Sequence, residues 1–307
     1  INANTQNVIV RNGRIGSTTS EGIIIQAGCN NIDVKAVDFA GTGGYAVSLL
    51  GTFTNQINNC VIQDMTTNTC AGSVNIVQAN MCSIAGSNFI GSTNVPINLN
   101  TGSKNNIADC SIKNNAGLIA IVASNQSGLL MTDLEVVNCE GAISLNNCPN
   151  SSITKSDIFS NNGATAIQCL NSPDCVFEEI NMANVTSGDG LDIQNSPNTS
   201  VTGLVINSIQ TSVNAVNITN SAGCNIDGCQ ILDASGSTGS VIMVSTSSNC
   251  TLRNIEVDSV VGNAVTTNKV INIASSPDVV LENCFVNNIA NIGGAIKLDT
   301  SSFGKLK

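Results

Sequence analysis

The chain has 307 residues, 42% of them hydrophobic, which is enough for a packed interior, yet only 10% are charged and 3% aromatic, with no His and no Trp. Eleven basic residues against 21 acidic ones leave a net charge of −10, which repels a phosphate backbone and argues against nucleic acid as a partner. The lack of His removes the commonest general base and every Ser-His or Cys-His nucleophile, and no apolar run reaches the roughly 20 residues of a membrane helix.

In chain order, a six-residue unit of the form apolar-x-x-(small or apolar)-x-apolar begins at Val10, Val34, Ile57, Ile84, Ile107, Met131, Ile153, Phe177, Val201, Ile226, Leu252 and Leu281. Successive starts lie 22 to 29 residues apart. After a variable loop, a shorter alternation follows in many periods: Val47-Ser48-Leu49, Ile97-Asn98-Leu99, Ile143-Ser144-Leu145, Leu191-Asp192-Ile193, Val216-Asn217-Ile218 and Ile296-Lys297-Leu298. Period-two alternation predicts strands with the middle residue facing out. Turns such as Asn146-Asn147-Cys148-Pro149-Asn150, Asn171-Ser172-Pro173-Asp174, Asn195-Ser196-Pro197-Asn198 and Ser275-Ser276-Pro277-Asp278 close the period, with Pro and Asn fixing the corner.

Strands this short, repeating with no helical segment between them, must pair with their counterparts in the next period. The expected fold is an all-β parallel solenoid of about twelve coils, and its resemblance to β-helix proteins implies a right-handed parallel β-helix with three short strands per coil. At about 4.8 Å per stacked strand, twelve coils make a rod of roughly 55 Å. One β-helix domain spanning 1–307, a segment of a larger protein, is expected. The pattern resembles the pectin-lyase-like right-handed β-helix repeat family over nearly the whole chain. On that template the insertions Asp64 to Gly72 and Val257 to Lys269 project as loops.

The repeat places most of the 13 cysteines in columns. Cys60, Cys110, Cys229 and Cys284 take the fourth, inward position of the unit, which other coils fill with Val37, Leu134, Leu204 and Ile255. Cys82, Cys175, Cys224 and Cys250 lie two residues before the unit. Such cysteines act as small hydrophobes, although adjacent coils could bring Cys224 and Cys250 into disulfide range. With no Cys-x-x-Cys and no His, zinc binding is not expected.

Carboxylate or metal chemistry remains. Ser187-Gly188-Asp189-Gly190-Leu191-Asp192-Ile193 resembles the Asn-Thr-Asp-Gly-x-Asp segment of polygalacturonases, β-helix enzymes that hydrolyse glycosidic bonds with paired Asp residues. That resemblance makes Asp189 and Asp192 the catalytic candidates of an alternative, enzymatic reading. The family's second Asp-Asp pair is not matched by Ser212-Val213-Asn214-Ala215-Val216-Asn217, and its Gly-His-Gly and Arg-x-Lys motifs are missing. A pectate-lyase reading asks for clustered carboxylates around calcium. The exposed first-sheet column, read as Ile24, Ser48, Asn75, Asn98, Ala120, Ser144, Gln168, Asp192, Asn217, Met243, Asn272 and Lys297, supplies one. Glu135, Asp157, Glu178 and Glu179 fall together near the opposite bend by repeat arithmetic, where they could attract a cation or form a solvated acidic patch. Tyr45 and Phe53 are the aromatic residues in loops suited to stacking a sugar. Sequons at Asn125, Asn150, Asn184, Asn198, Asn217 and Asn249 are expected by chance in so Asn-rich a chain, and Asn217 lies within a strand.

Phe285-Val286-Asn287-Asn288 followed by Gly293-Gly294-Ala295-Ile296 resembles the repeats of chlamydial polymorphic outer-membrane proteins, which are autotransported β-helical adhesins; Phe159-Ser160-Asn161-Asn162 repeats half of it. The expectation is a structural or adhesive scaffold of a cell-surface, extracellular or virion protein, without catalysis, resident metal or cofactor and without membrane insertion by this segment. Its partner would be a host or surface protein or a glycan, and three copies could wind into a homotrimer. The alternative is a divergent polysaccharide lyase or glycoside hydrolase of the same fold, in which case calcium enters as a cofactor.

Overall fold

The computed structural model describes residues 1–159, 163–210, 214–235, 239–261, 269–290, 294–299 and 303–306. Ser160 to Asn162, Ser212, Val213, Gly293 and most of the 257–269 insertion therefore lie outside the described residues. Among the described residues there is no helix, hence none long and apolar enough to cross a membrane. Among the described residues the strand pairings are parallel, each to a strand of a neighbouring coil, giving a right-handed β-solenoid of about eleven turns, consistent with the expected twelve or so coils. The chain divides into two compact units, Ile1–Ser151 and Ser152–Lys307.

In the first unit the first sheet stacks Ile23–Gln26, Tyr45–Leu50, Gly72–Asn80, Ile97–Ser103, Ser111–Ser127 and Glu135–Asn146. Inward residues align as Ile25, Leu49, Ile76, Leu99, Ala123 and Leu145, all buried. The outward column runs Ile24, Ser48, Asn75, Asn98, Val122, Ser144. Val122 thus stands where the periodicity suggested Ala120. Ile121 pairs with Ile97, which leaves Ala120 buried before the paired segment.

A second correction concerns Cys60. Val34 pairs with Ile62, so the third coil's unit begins at Ile62, with Met65 in the inward fourth position. Cys60 stands two residues before the unit, in line with Cys82. Ile57-x-x-Cys60 and Ile62-x-x-Met65 spell the same pattern, and pairing selects the second. The Asp64–Gly72 stretch is no projecting loop either. Thr66–Asn68 is a strand paired with Asp38–Ala40, while Met65, Thr67 and Cys70 are buried.

In the second unit the first sheet stacks Ile167–Leu170, Leu191–Gln194, Val216–Thr219, Ile242–Ser245, Ile271–Ala274 and Ile296–Asp299. The outward column is Gln168, Asp192, Asn217, Met243, Asn272, Lys297, as the alternation predicts. One corner of this unit carries a buried serine ladder. The backbone N–H groups of Ser172, Ser196, Ser221 and Ser247 donate to the hydroxyls of Ser196, Ser221, Ser247 and Ser276 at 2.9, 2.9, 2.9 and 3.0 Å. Each hydroxyl donates in turn to the carbonyl two residues earlier, so corner amides turned away from the sheets are satisfied without water.

The cysteines are free thiols, all buried except the half-buried Cys284. Burial pushes the Cys110 thiol up to about 11 and the Cys229 thiol up to about 12, as expected of thiols used as apolar fillers.

Candidate functional site

Asp189 and Asp192 converge at the entry to the strand Leu191–Gln194. Gly188 has φ +74°, and a Cβ there would meet the Thr165 nitrogen at 2.5 Å; one on Gly190 would meet the Ala215 carbonyl oxygen at 2.6 Å. The two glycines let the turn lie flat against the neighbouring coils, which carries Asp189 inward. Asn214, one coil on, donates its backbone N–H (2.7 Å) and its Nδ2 (3.3 Å) to Asp189 Oδ1.

Asp192 faces outward in the first-sheet column but is closed off by its neighbours. Asn217 Nδ2 donates to Oδ1 at 2.9 Å and Gln194 Nε2 to Oδ2 at 2.8 Å, with a further hydrogen bond from the Gln168 side chain. The residue is 3% exposed and Asp189 7%, so the solvent-facing position expected for Asp192 is in fact buried. Alternation gives the direction of a side chain; long amides stacked above and below decide whether water reaches it.

Burial pushes the Asp189 carboxyl up to about 6, against the Asn214 backbone hydrogen bond; the charge of Asp192 adds to the rise and the Asn214 side chain opposes it. Burial also raises Asp192, against the hydrogen bonds from Asn217, Gln194 and Gln168. The arrangement holds two carboxyls in one polar niche, one of them carrying a proton over part of the near-neutral range. Lys297 is four coils from Asp192 in its column. Sequence reasoning identified Gln168 and Asn217 as neighbours and missed Gln194 and Asn214. Asn214 stands at the same place before its strand as Asp189 does before Leu191, which is the available signal.

The other candidates separate. Glu178 aligns with Thr154 and Thr202, whereas Asp157 aligns with Asn181 in a different column and accepts from it at 2.9 Å. Glu135 is engaged by Lys113 at 2.7 Å and by Ser111 at 2.9 Å, and the Lys113 contact lowers its carboxyl. Glu178 and Asp157 thus stand in different columns of the second unit, and Glu135 is held by Lys113 and Ser111 of the first. Among the described residues, no three Cys, Asp or Glu side chains are grouped to hold a metal ion. Phe53 is 79% exposed, while Tyr45 is half-buried in a strand with its ring over Gly72. The first unit also has a shallow hollow of about 380 Å³ lined by Asn31, Ile32, Asp33, Asn59, Val61 and Gln63.

No protein-family model matches the sequence, and no curated protein is similar to it by sequence. Solved structures are similar in fold. The surface adhesin PfbA of Streptococcus pneumoniae aligns with TM-score 0.70 at 10% identity, covering 95% of this chain and 84% of that one. DFA-IIIase from Arthrobacter chlorophenolicus A6 aligns at 0.55 and 13% identity, covering 82% of this chain and 63% of the enzyme. The A-module of the mannuronan C-5 epimerase AlgE4 from Azotobacter vinelandii aligns at 0.54 and 10% identity, covering 93% and 78%. An adhesin and two enzymes share one scaffold here, and what these likenesses establish is the fold: the chain is a right-handed parallel β-helix.

Proposed function

We propose that the chain is a structural and adhesive β-helical scaffold of a cell-surface or extracellular protein, offering a polar amide and hydroxyl face to a glycan or to a host or surface protein. The carrying observation is the burial of both candidate carboxylates. Asp192 has both oxygens bound by amides of its own sheet, and Asp189 is tied to Asn214 in the adjacent coil. A glycosidase must bring two carboxyl groups to either side of a scissile bond, and residues walled in by scaffold amides serve the wall. The pneumococcal adhesin, which shares the fold over 95% of this chain, supports the reading.

One observation favours a second reading, a polysaccharide lyase or glycoside hydrolase. The Asp189 carboxyl, pushed up to about 6, is a proton donor suited to near-neutral pH, and fold neighbours include carbohydrate-active enzymes. Two assays on the purified chain separate the readings. One measures binding to a panel of immobilised glycans and host-surface proteins; the other measures depolymerisation of a polysaccharide panel with and without calcium. Saturable binding without depolymerisation, retained in Asp189→Asn/Asp192→Asn, is expected. Cleavage that the double variant loses while its thermal midpoint does not fall would establish the enzyme instead.

A further inference from the structure

Each unit contains a pair of buried cysteines stacked between adjacent coils at the same point of the period, just before the six-residue unit. Val61 pairs with Ser83, and Ser83 N–H donates to the Cys60 carbonyl at 2.9 Å, which sets Cys82 against Cys60. Asn225 pairs with Thr251, and Thr251 N–H donates to the Cys224 carbonyl at 2.9 Å, which sets Cys250 against Cys224. All four side chains face the interior, where the thiols of Cys60 and Cys82 donate to the Asn58 and Asn80 carbonyls at 3.6 and 3.4 Å and those of Cys224 and Cys250 to the Ser196 and Ser221 carbonyls at 3.7 and 3.4 Å. We infer that Cys60 with Cys82 and Cys224 with Cys250 are two oxidative cross-linking sites, at which neighbouring coils become joined by disulfides.

The ladder supplies the geometry. Parallel strands lie about 4.7–4.9 Å apart, inside the roughly 4.4–6.8 Å that a disulfide accepts between Cα atoms. Closure draws the Cβ atoms together by under about 1 Å relative to the strand spacing. Each pair is also polarised. The proximity of the two thiols raises the Cys82 thiol in one pair and the Cys224 thiol in the other, with burial adding to both. In each pair the thiol that ionises first acts as the nucleophile.

With a small-molecule disulfide such as oxidised glutathione as the oxidant, one thiolate of the Cys60 and Cys82 pair attacks one of its sulfurs, forming a mixed disulfide and releasing one thiol. The other thiol of the pair then loses its proton and displaces the second glutathione thiol. Two protein thiols are oxidised to one disulfide while the oxidant's S–S bond is reduced to two thiols. Cys250 and Cys224 follow the same course. The sites are sealed in the closed coils, so exchange takes place while the coils are folding or transiently open. Other cysteines lack this stacking: Cys110 is flanked in its column by Ser87 and Leu134, and Cys229 by Leu204 and Ile255. Cys169 and Cys175 touch across a corner within one coil, where no ladder sets their spacing.

The test refolds the full chain from denaturant in a glutathione redox buffer and, in parallel, in excess reductant, then alkylates, digests and maps the peptides by mass spectrometry. A second arm exposes the already folded chain to oxidised glutathione. The expected map has Cys60 joined to Cys82 and Cys224 joined to Cys250, with nine of the thirteen cysteines alkylated (13 − 4 = 9). The oxidised chain should melt several degrees above the reduced one. Replacing all four cysteines with Ser should abolish that difference and still fold, since Ser151 and Thr199 fill the same column in other coils. Thirteen alkylated cysteines in both arms, or bridges that pair other cysteines, would overturn the assignment.

Discussion

Asp189 makes the stability of the second unit depend on pH in a direction opposite to that of an ordinary ion-paired carboxylate. Its carboxyl rises from 3.8 to about 6 on folding, mainly because burial penalises the charged form. The folded state therefore holds a proton that the unfolded state has released between about pH 4 and 6, and stability falls across that window. Roughly two pH units at about 1.4 kcal/mol each amount to ~3 kcal/mol, present in full below pH 4 and lost by about pH 7. Asp192 is raised by burial too and adds a smaller loss of the same sign. Glu135, lowered by Lys113, works in the opposite sense, so the informative quantity is the difference between wild type and Asp189→Asn. The Asn side chain keeps an oxygen to accept the Asn214 N–H and has no charge to bury. Urea unfolding monitored by circular dichroism at pH 4, 5, 6 and 7 should show the variant gaining on wild type as pH rises, by up to about 3 kcal/mol at pH 7. A difference independent of pH, or one shrinking toward pH 7, would refute the burial argument.

Cys229→Asp should prevent stable folding of its coil, because an unpaired charge in a fully buried position costs several kcal/mol, whereas Cys229→Ala should cost about 1 kcal/mol in urea unfolding. A thiol reagent applied to the native, reduced chain should label Cys284 first and the buried thiols only at the rate of unfolding; rapid labelling of nearly all thirteen would contradict the packed interior. Ser221→Ala should destabilise by about 1–3 kcal/mol, since it removes the acceptor for the buried Ser196 N–H and the donor to Thr219. Met81, half-exposed at φ 53°, is poorly suited to the left-handed region, so Met81→Gly or Met81→Asn should raise the thermal midpoint by the equivalent of about 1 kcal/mol.

The period made most of this architecture legible, because in a solenoid a local pattern and its long-range partner are the same statement repeated. The outward column of the second unit could be read residue by residue from Gln168 to Lys297. Register failed where the pattern was degenerate. Ile57 and Ile62 both open an apolar-x-x-apolar unit, and only the pairing of Asp33 with Val61 distinguishes them. The serine ladder escaped notice because one buried Ser in a turn is unremarkable in sequence; its meaning arises from the four hydroxyls stacked with it. The site was half legible. Asp189 and Asp192 were identifiable from the Gly-Asp-Gly entry, but their burial depends on Asn214, Gln194, Gln168 and Asn217, whose side-chain lengths no alternation rule takes into account.

The unusual composition has its cause at the corners. Left-handed residues recur in register along the coils: one series runs Asn7, Asn31, Asn59, Met81, Lys104, Gly128 and Asn150, and another in the second unit runs Asn171, Asn195, Asn220, Thr246 and Ser275. A corner that must turn within one residue needs positive φ, which Gly and Asn accept with least strain, so a chain turning several times per coil accumulates Asn. Stacked amides then bond along the series, as Asn31 does to Asn7 at 3.1 Å and Asn147 to Asn125 at 2.7 Å. Five of the sequon asparagines, Asn125, Asn150, Asn184, Asn198 and Asn249, occupy such left-handed positions. Backbone geometry accounts for those asparagines without a glycan.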